Sequence, residues 1–402
     1  MRALDHDAVP VDRYPGRGVP VGGGSGGQVS GAGRSGGRLS PRGLFVGAST
    51  LDVIHYVERV PGEDEKVFAS DRLLAAGGPA TTAAIAFADL GGSATLVSPL
   101  GSHPLAEVVR DELQLHGVRH VDLDPAGTSP PIVSAVTVTL GTGARSVVSM
   151  LSAHGGDAHD SPPSPAPPSS GDDLVAGADV VLIDGHQPDL ALHVAARARE
   201  SEVPVVLDGG SCKPGTAELL DYVDYAICSA VFRPPECPAA ADVLRCLADI
   251  GVPQRAVTNG PQPIRWSMDA GRSARELAQR SMGEVAGGVA GEVAGGVHGE
   301  LVGGAEVGRD GEMAGEIPVP APGCVVDTLG AGDVLHGAFC FHLLTIPAGE
   351  FAASSLAGPA RVPNVFPNAL AAAAENAALS CTVRGARLPP RSKDAPRTGR
   401  AP

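Results

Sequence analysis

The residues best suited to chemistry lie in one seven-residue run, Asp327 to Asp333, which reads Asp-Thr-Leu-Gly-Ala-Gly-Asp. Gly330 and Gly332 flank a single alanine, and glycine has no Cβ atom to keep an anion away from the backbone N–H groups. The amides of Gly330, Ala331 and Gly332 would therefore form an anion hole for a phosphate. The carboxylate of Asp333 follows at once, where it could take the proton from a hydroxyl group that attacks this phosphate.

The elements around this run must place it at the start of a helix. An apolar stretch, Cys324–Val326, precedes it and predicts a short strand, and an apolar helical pattern follows from Val334 to Leu344. A helix N-terminus carries partial positive charge, which would strengthen the anion hole. The alternative is a plain loop that enters a core helix, with Asp333 as an ordinary acidic residue of its first turn, because short glycine motifs also match by chance.

The complete seven-residue string is more specific than a lone glycine motif. It resembles the signature Asp-Thr-x-Gly-Ala-Gly-Asp of the ribokinase-like (PfkB) carbohydrate kinases, and the following Val-Leu-His-Gly-Ala-Phe continues the likeness. The resemblance extends over about residues 43–388. It implies a ribokinase-like three-layer α/β/α fold, with a central, mostly parallel sheet and a small β-sheet lid that excludes water from the site.

The resemblance also implies an enzyme that transfers a phosphoryl group from ATP to a sugar hydroxyl. Asp333 would be the general base, and the amides of Gly330 to Gly332 would stabilise the charge on the transferred group. ATP and Mg²⁺ would be the cofactors, with a monovalent cation as a further candidate. The other partner would be a small-molecule sugar.

A sugar-binding half of the site follows from the same resemblance. Asp52 corresponds to the family's aspartate that binds sugar hydroxyls, and its carboxylate can accept two hydrogen bonds from a diol; a turn aspartate is the alternative. Gly77 and Gly78 resemble the family's Gly-Gly, where the backbone approaches the sugar. Thr82 stands where the family usually has asparagine, so one hydroxyl replaces a carbonyl and an amide.

A nucleotide-binding half is implied as well. Thr258-Asn259-Gly260 resembles a strand-end Thr-x-Gly that contacts the nucleotide, so Thr258 and Gly260 are assigned to it. Pro263 stands where the family has its second glycine. Asp327 and Thr328 are assigned to the nucleotide together with them.

The metal ligands cannot be assigned from the sequence. Ser229 and Phe232 stand where many family members have the Asn and Glu of an Asn-x-x-Glu motif, which is tied to metal and phosphate handling. Neither side chain can hold a magnesium-bound water as a carboxylate does. Asp184 and Asp208 each end an apolar strand and precede a glycine, and we interpret both as turn residues rather than ligands.

Periodicity and composition divide the chain into an ordered domain and low-complexity additions. From Val180 onward, short unbroken apolar strands alternate with helices, which indicates a parallel sheet covered on both faces. Two β-rich segments, at 54–74 and 131–150, predict the separate lid sheet, unless both extend the main sheet. The predicted division is a disordered Gly/Ser/Arg-rich tail over 1–40, a kinase domain over 41–388 with low-complexity insertions at about 155–172 and 283–315, and a flexible tail over 389–402.

Charge and cysteine content limit the class of protein. A net charge of −15 argues against non-specific binding to nucleic acid. No apolar run reaches the roughly 18 residues of a membrane span. The N-terminus lacks the apolar core of a signal peptide, so we expect a cytoplasmic protein without a membrane partner. The seven cysteines form no Cys-x-x-Cys pair and are expected to be reduced thiols.

Two alternative functions stay open at this point, as does the oligomeric state. A nucleoside such as adenosine could replace the sugar in a wider, more apolar pocket. The changes at Thr82 and at the Asn-x-x-Glu position also fit a non-catalytic regulator that binds a sugar or a nucleotide on the same fold. The intact Asp333 opposes that alternative, because a pure binder needs no base. A homodimer formed through the lid is one candidate assembly.

Overall fold

The computed structural model describes residues 40–150, 174–238, 242–269, 306–307, 312–346 and 365–390. The tail predicted over 1–40, the insertion at 155–172 and the tail over 389–402 lie wholly or almost wholly outside these residues, as does most of the insertion at 283–315. The strands, in chain order, are β1 (Arg42–Val46), β2 (Thr50–Val57), β3 (Asp71–Gly77), β4 (Ser93–Ser98), β5 (Arg119–Asp122), β6 (Ile132–Thr139), β7 (Arg145–Ser149), β8 (Val180–Ile183), β9 (Val205–Gly209), β10 (Tyr225–Ser229), β11 (Gln254–Asn259), β12 (Gln262–Asp269), β13 (Glu306–Val307) and β14 (Glu312–Ile317). The helices are α1 (Pro79–Asp89), α2 (Pro104–Leu115), α3 (Pro188–Glu200), α4 (Thr216–Leu220), α5 (Val243–Ile250), α6 (Ala331–Thr345) and α7 (Val365–Ser380).

The larger sheet has ten strands in the order β13-β14-β12-β11-β10-β9-β8-β1-β4-β5. From β11 to β5 all neighbouring strands are parallel, whereas β12 to β14 add an antiparallel edge. The parallel strands are apolar because both of their faces are covered, and every residue of β8 is buried. Their carboxyl ends lie along one edge of the sheet, where ligands bind in open α/β sheets.

Helices cover both faces of this sheet, and side chains that alternate along each strand divide between two cores. Leu182 packs in the core formed with α1, α2, α6 and α7. Its neighbours Val181 and Ile183 pack in the core formed with α3, α4 and α5. The result is the three-layer arrangement of helices, sheet and helices that the sequence predicts.

The smaller sheet has four strands in the order β3-β2-β6-β7, and among the described residues it is separate from the larger sheet. Strands β2 and β6 are parallel, whereas β3 and β7 are antiparallel to their neighbours. Ile54, Tyr56 and Val136 belong to a small core of this sheet. The β-rich segments at 54–74 and 131–150 therefore pair with each other and do not extend the main sheet.

Helices α1 and α6 approach each other backbone to backbone at one point. A Cβ atom on Gly337 of α6 would lie 2.1 Å from the carbonyl oxygen of Ala83 in α1. Only glycine permits so close an approach of two helix backbones. Because α1 follows the small sheet and α6 carries Asp333, this contact joins the two halves of the predicted site.

The strand predicted at Cys324–Val326 is wrong. These residues are irregular, and the N–H group of Val326 donates to the carbonyl oxygen of Cys381 at 2.8 Å instead of to a strand. Pro320, Pro322 and Gly323 precede the run, and such residues interrupt a strand ladder.

The end of the insertion predicted at 283–315 is ordered as strand β14. This strand pairs with β12, so that Gly315 lies opposite Trp266. A Cβ atom on Gly315 would come within 3.0 Å of the Trp266 ring, and Ile317 is buried. The C-terminal boundary of the insertion, predicted from glycine content, therefore lies too far along the chain. Gly315 belongs to the sheet, where its missing side chain leaves room for the Trp266 ring.

The expectation that all seven cysteines are reduced thiols is wrong for one pair. Cys237 and Cys246 form a disulfide, because the end of the loop after β10 lies beside α5 and brings their Cα atoms within 5.9 Å. The described helices include none that is both long and apolar enough to cross a membrane.

Candidate active site

The glycine run forms a tight entry into helix α6. Gly330 precedes the helix with a φ of 62°, in the left-handed region that favours glycine. A Cβ atom at Gly330 would also lie 2.5 Å from the Cβ of Ala386. The first N–H groups of a helix have no partner within the helix, so those of the first turn are free to face an anion. A Cβ at Gly332 would meet no described atom within 4 Å, so the space beside it is open.

Asp333 lies in the first turn of α6, among other charged groups. Burial, followed by the negative charge of Asp208, raises its pKa to about 7. Asp184 raises this pKa further, whereas the charges of His336 and Arg145 lower it. A carboxylate with a pKa near 7 is suited to act as a base at neutral pH.

A small pocket opens beside Asp333. Five of the predicted site residues line it together: Asp52, Gly78, Thr82, Gly330 and Asp333. The remaining lining residues are Ile54, Ala75, Ala76, Leu329, Gly385 and Ala386. The sugar side and the phosphate side of the predicted site thus meet in one pocket.

Asp52 lies on β2 with one oxygen engaged by protein. Thr50 donates its hydroxyl to Oδ1 of Asp52 at 2.7 Å. Gly77 faces the carboxylate from β3, where a Cβ atom would lie 2.1 Å from Oδ2, so the predicted Gly77 makes room for this side chain. Burial raises the pKa of Asp52, and hydrogen bonds from Thr50 and Ser134 and the charge of Arg387 oppose that rise.

Gly78 and Asp184 fix the entry into α1. Gly78 has a φ of 97°, and a Cβ atom there would lie 2.4 Å from the carbonyl oxygen of Ala48. The buried Oδ2 of Asp184 accepts from the N–H groups of Ala48 at 2.9 Å and Ala80 at 3.2 Å. Burial alone would raise the pKa of Asp184, but His186, the charge of Lys213 and the N–H group of Ala48 lower it to about 2. Asp184 is therefore more than a turn residue, because it fixes the entry into α1 beside Gly78, which lines the pocket.

The buried carboxylate of Asp327 ties three segments together. Its Oδ2 accepts from the Tyr56 hydroxyl at 2.9 Å and from the N–H group of Gly385 at 3.1 Å. Its Oδ1 accepts from the N–H group of Leu329 at 2.8 Å. The small sheet, the C-terminal segment and the glycine run are thus held at one side chain. The predicted nucleotide contact of Asp327 stays a prediction.

Thr328 joins the glycine run to the hairpin between β6 and β7. Its hydroxyl and its N–H group both donate to the carbonyl oxygen of Gly143, at 2.8 and 3.1 Å. Arg145 of β7 donates to the carbonyl oxygen of Thr328 at 3.3 Å. This places a guanidinium group beside the predicted anion hole, and the sequence interpretation assigned no role to Arg145.

Thr258 and Gly260 do not line the pocket. The Thr258 hydroxyl lies 3.4 Å from the carbonyl oxygen of Cys228, and Gly260 follows β11 with a φ of 54°. Both lie at the carboxyl end of β11, on the edge that also carries the ends of β8 and β9. Their contact with a nucleotide stays a prediction.

The positions of the Asn-x-x-Glu motif offer no carboxylate to a metal. The Ser229 hydroxyl donates to the carbonyl oxygen of Gly210 at 2.8 Å, and Phe232 is buried in the core. Within the described ranges, no three His, Cys, Asp or Glu side chains come together as a metal-binding group. Ser229 and Phe232 therefore supply no carboxylate of the kind that the Asn-x-x-Glu motif would offer.

Asp208 and His336 are the main residues of the site that sequence reasoning missed. Asp208 lies on β9, and both side chains are buried. Oδ2 of Asp208 is 3.4 Å from Nδ1 of His336 and has no hydrogen-bond partner. A signal for Asp208 was present, since an apolar strand that ends in an acidic residue delivers it to the ligand-binding edge of a parallel sheet.

Comparison with known proteins agrees with this geometry. The sequence model described as pfkB family carbohydrate kinase matches residues 42–276, which is more than half of the chain. The chain belongs to this family. Ribokinase of Arabidopsis thaliana, one of its relatives, is 30% identical over 192 residues, which are 46% of this chain and 48% of that protein. This pfkB family chain thus matches about half the length of that relative.

Solved structures share the fold of this pfkB family member. Arabidopsis thaliana ribokinase complexed with ribose and ATP has a TM-score of 0.54 at 21% identity, with 86% of this chain and 94% of that chain covered. Ribokinase from Giardia lamblia has a TM-score of 0.59 at 15% identity, with 86% and 95% covered. The predicted ribokinase-like fold class is therefore confirmed.

Proposed function

We propose that this chain transfers the γ-phosphoryl group of ATP to a hydroxyl group of a sugar. The observation that carries the proposal is a single pocket in which Asp333, at the start of α6, faces the space that Asp52 and Gly78 line from the other side. Family membership supports a carbohydrate as the acceptor.

In this reaction Asp333 takes the proton of the attacking hydroxyl, because its raised pKa makes it a stronger base than an exposed carboxylate. The free N–H groups from Gly330 to Gly332 stabilise the charge that develops on the transferred group. The guanidinium group of Arg145 lies close enough to lower the pKa of Asp333, so it would act on the same charge from the small sheet. Asp52 accepts hydrogen bonds from sugar hydroxyls and orients the acceptor.

The small sheet closes one side of this pocket through Ile54 and Ala75. As a lid it would exclude water, which otherwise competes with the sugar for the phosphoryl group. Mg²⁺ would enter with the nucleotide phosphates, and no step here depends on a protein ligand to it. Location in the cytoplasm and a homodimer through the lid stay predictions. The exposed Val148 of β7 and Met150, just after this strand, would lie at such an interface.

Ribose is the first substrate to test, because the Arabidopsis protein that shares this fold is a ribokinase whose structure is complexed with ribose and ATP. Thr82 offers a single hydroxyl to this pocket, so another pentose or a ketose could be the better acceptor. The apolar lining residues Ile54, Leu329 and Ala386 also leave a nucleoside to be tested.

The test is ATP consumption by the purified chain with a panel of pentoses, ketoses and nucleosides. We expect a sugar-dependent rate, and Asp333→Asn should lower kcat roughly 10²–10⁴-fold, the usual contribution of a positioned base. Turnover only with nucleosides would favour the nucleoside kinase alternative. The absence of turnover with every acceptor, or near-full activity of Asp333→Asn, would contradict the proposal.

A further inference from the structure

His336 lies one helical turn after Asp333 and has both ring nitrogens close to backbone carbonyl oxygens. Nδ1 is 2.7 Å from the carbonyl oxygen of Gly332, in the first turn of α6. Nε2 is 3.0 Å from the carbonyl oxygen of Ile227 in β10. The ring thus bridges the helix that carries the predicted base and the sheet beneath it.

These two contacts favour a particular number of protons on the ring. A carbonyl oxygen can only accept a hydrogen bond, so each nitrogen of His336 must carry a hydrogen for both bonds to form. A neutral imidazole has one N–H group, and an imidazolium has two.

The carboxylate of Asp208 supplies the matching negative charge. Its Oδ2 lies 3.4 Å from Nδ1 of His336 and has no hydrogen-bond partner. A buried carboxylate oxygen without a partner is costly, and a neighbouring positive charge removes much of that cost. A neutral His336 would leave both Asp208 and one of the two carbonyl contacts unsatisfied.

We propose that His336 is a buried imidazolium, and that it is the positioning residue that keeps Asp333 ionised and therefore able to accept a proton. The role of Asp333 as the base belongs to the proposed function, whereas the charge state of His336 stands on geometry alone. His336 acts through its charge and through its bond to the first turn of α6, and does not touch the acceptor.

The charges around Asp333 determine whether loss of the His336 charge would raise or lower the pKa of Asp333. Burial and the carboxylates of Asp208 and Asp184 raise the pKa of Asp333, whereas His336 and Arg145 lower it. Removal of the imidazolium would leave Asp208 uncompensated and move the pKa of Asp333 upward. The titratable and charged groups that face this region are Asp208 from β9, Asp184 after β8, Arg145 from β7, Cys228 from β10, and Asp333 and Cys340 from α6.

The charge state is tested on the wild-type chain by ¹⁵N NMR of labelled histidine at neutral pH, with His336 assigned by through-bond correlation. We expect both ring nitrogens of His336 to have the chemical shifts of protonated nitrogens. A shift typical of an unprotonated nitrogen at either position would overturn the proposal, and this measurement requires no variant and no substrate.

The effect of His336 on the pKa of Asp333 is tested by ¹³C NMR titration of labelled aspartate. The signal of Asp333 is assigned because it disappears in Asp333→Asn. His336→Asn should raise the apparent pKa of Asp333 by about one pH unit, the smaller end of what one neighbouring charge does. The matched control is His342→Asn on the same helix, because His342 bonds to Asn376 of α7 at 2.8 Å and faces away from the pocket. Equal Asp333 titration in His336→Asn and His342→Asn would overturn the positioning role.

Kinase assays then separate this inference from the proposed function. With an active acceptor, the acidic limb of kcat/KM should move upward in His336→Asn by the same amount as the titration. If wild type phosphorylates no acceptor, the proposed function fails, while the two NMR measurements still decide the charge of His336 and its effect on Asp333.

Discussion

At the scale of a single residue, the balance of charge around Asp333 sets the pKa of its carboxylate. Burial raises its pKa more than any other cause, and Asp208 adds to the rise. A higher pKa makes the carboxylate a stronger base, but a pKa above the working pH would leave it protonated and inactive. A pKa near 7 gives a strong base that is still partly ionised at neutral pH. The surroundings of Asp333 therefore support its proposed role independently of the motif in which it lies.

This balance predicts the dependence of the reaction on pH. Because the folded-state pKa of Asp333 is raised to about 7, the protonated form dominates below that pH and cannot accept a proton. We expect kcat/KM for the sugar to fall about tenfold per pH unit well below 7. A profile of kcat/KM against pH measures this, and the residual activity of Asp333→Asn should lack the same limb. A limb near pH 4 would show that Asp333 titrates as an ordinary carboxylate.

Asp52 leads to a separate prediction, about binding. Asp52→Asn removes a charged acceptor from the sugar hydroxyls, and hydrogen bonds to charged groups contribute about 1.5–3 kcal/mol. The KM for the sugar should therefore rise roughly ten- to a hundredfold, while the KM for ATP stays unchanged. Asp89→Asn is the matched control, since Asp89 lies on α1 and bonds to His116 at 2.7 Å. An equal rise in both KM values would contradict the assignment of Asp52 to the sugar.

Sequence reasoning placed Asp52, Gly78, Thr82, Gly330 and Asp333 in one site, and all five line one pocket. They could be found because each lies in a short motif whose spacing carries the information. Asp208 could have been noted as the acidic end of an apolar strand, but its pairing with His336 could not be predicted, since their closeness depends on which strand lies beneath α6. That relation is a property of the sheet order, and no local pattern encodes it.

At the scale of elements, the entry into α6 is held from several directions at once. Asp327 joins it to β2 through Tyr56 and to the C-terminal segment through Gly385. Thr328 joins it to the turn before β7. The helix was predictable from its apolar period, but these ties were not, because they connect segments far apart in the sequence. The wrong strand at Cys324–Val326 has the same origin, since its backbone bonds to the C-terminal segment.

Gly330 and Gly332, at the start of α6, should respond differently to replacement by alanine. Gly330→Ala forces alanine into a left-handed φ of 62° and against Ala386, which should lower the free energy of unfolding by about 1–3 kcal/mol. Gly332→Ala meets no described atom within 4 Å, so its stability should hold while its added methyl group hinders the phosphate and lowers kcat/KM for ATP. Thermal unfolding and kinetics of both variants test this. Equal losses of stability would contradict the distinction.

At the scale of the whole molecule, the pocket lies where the small sheet meets the helices of the large one. Ile54 and Ala75 come from the small sheet, Thr82 from α1, and Asp333 from α6. A ligand in this pocket therefore contacts parts of the chain that separate on unfolding. Binding to the folded state alone must then stabilise the whole domain.

The stabilisation of the folded domain by a bound sugar can be predicted in size. A sugar at a hundred times its Kd should raise the free energy of unfolding by about 2.7 kcal/mol. Differential scanning calorimetry with sugar, with ATP and with both measures the shift. Asp52→Asn should lose the shift caused by sugar and keep the shift caused by ATP. Loss of both together would indicate that Asp52 serves the fold rather than the sugar.

The contact of Gly337 with Ala83 limits how this enzyme could diverge. Because the backbones of α1 and α6 touch, any side chain larger than hydrogen at position 337 would push Thr82 and Asp333 apart. The distance between Thr82 and Asp333 is thus set by contact between two helix backbones and does not depend on side-chain rotamers. Replacements on β2 and β3, which line the pocket from the small sheet, would change the shape of the pocket without moving Asp333.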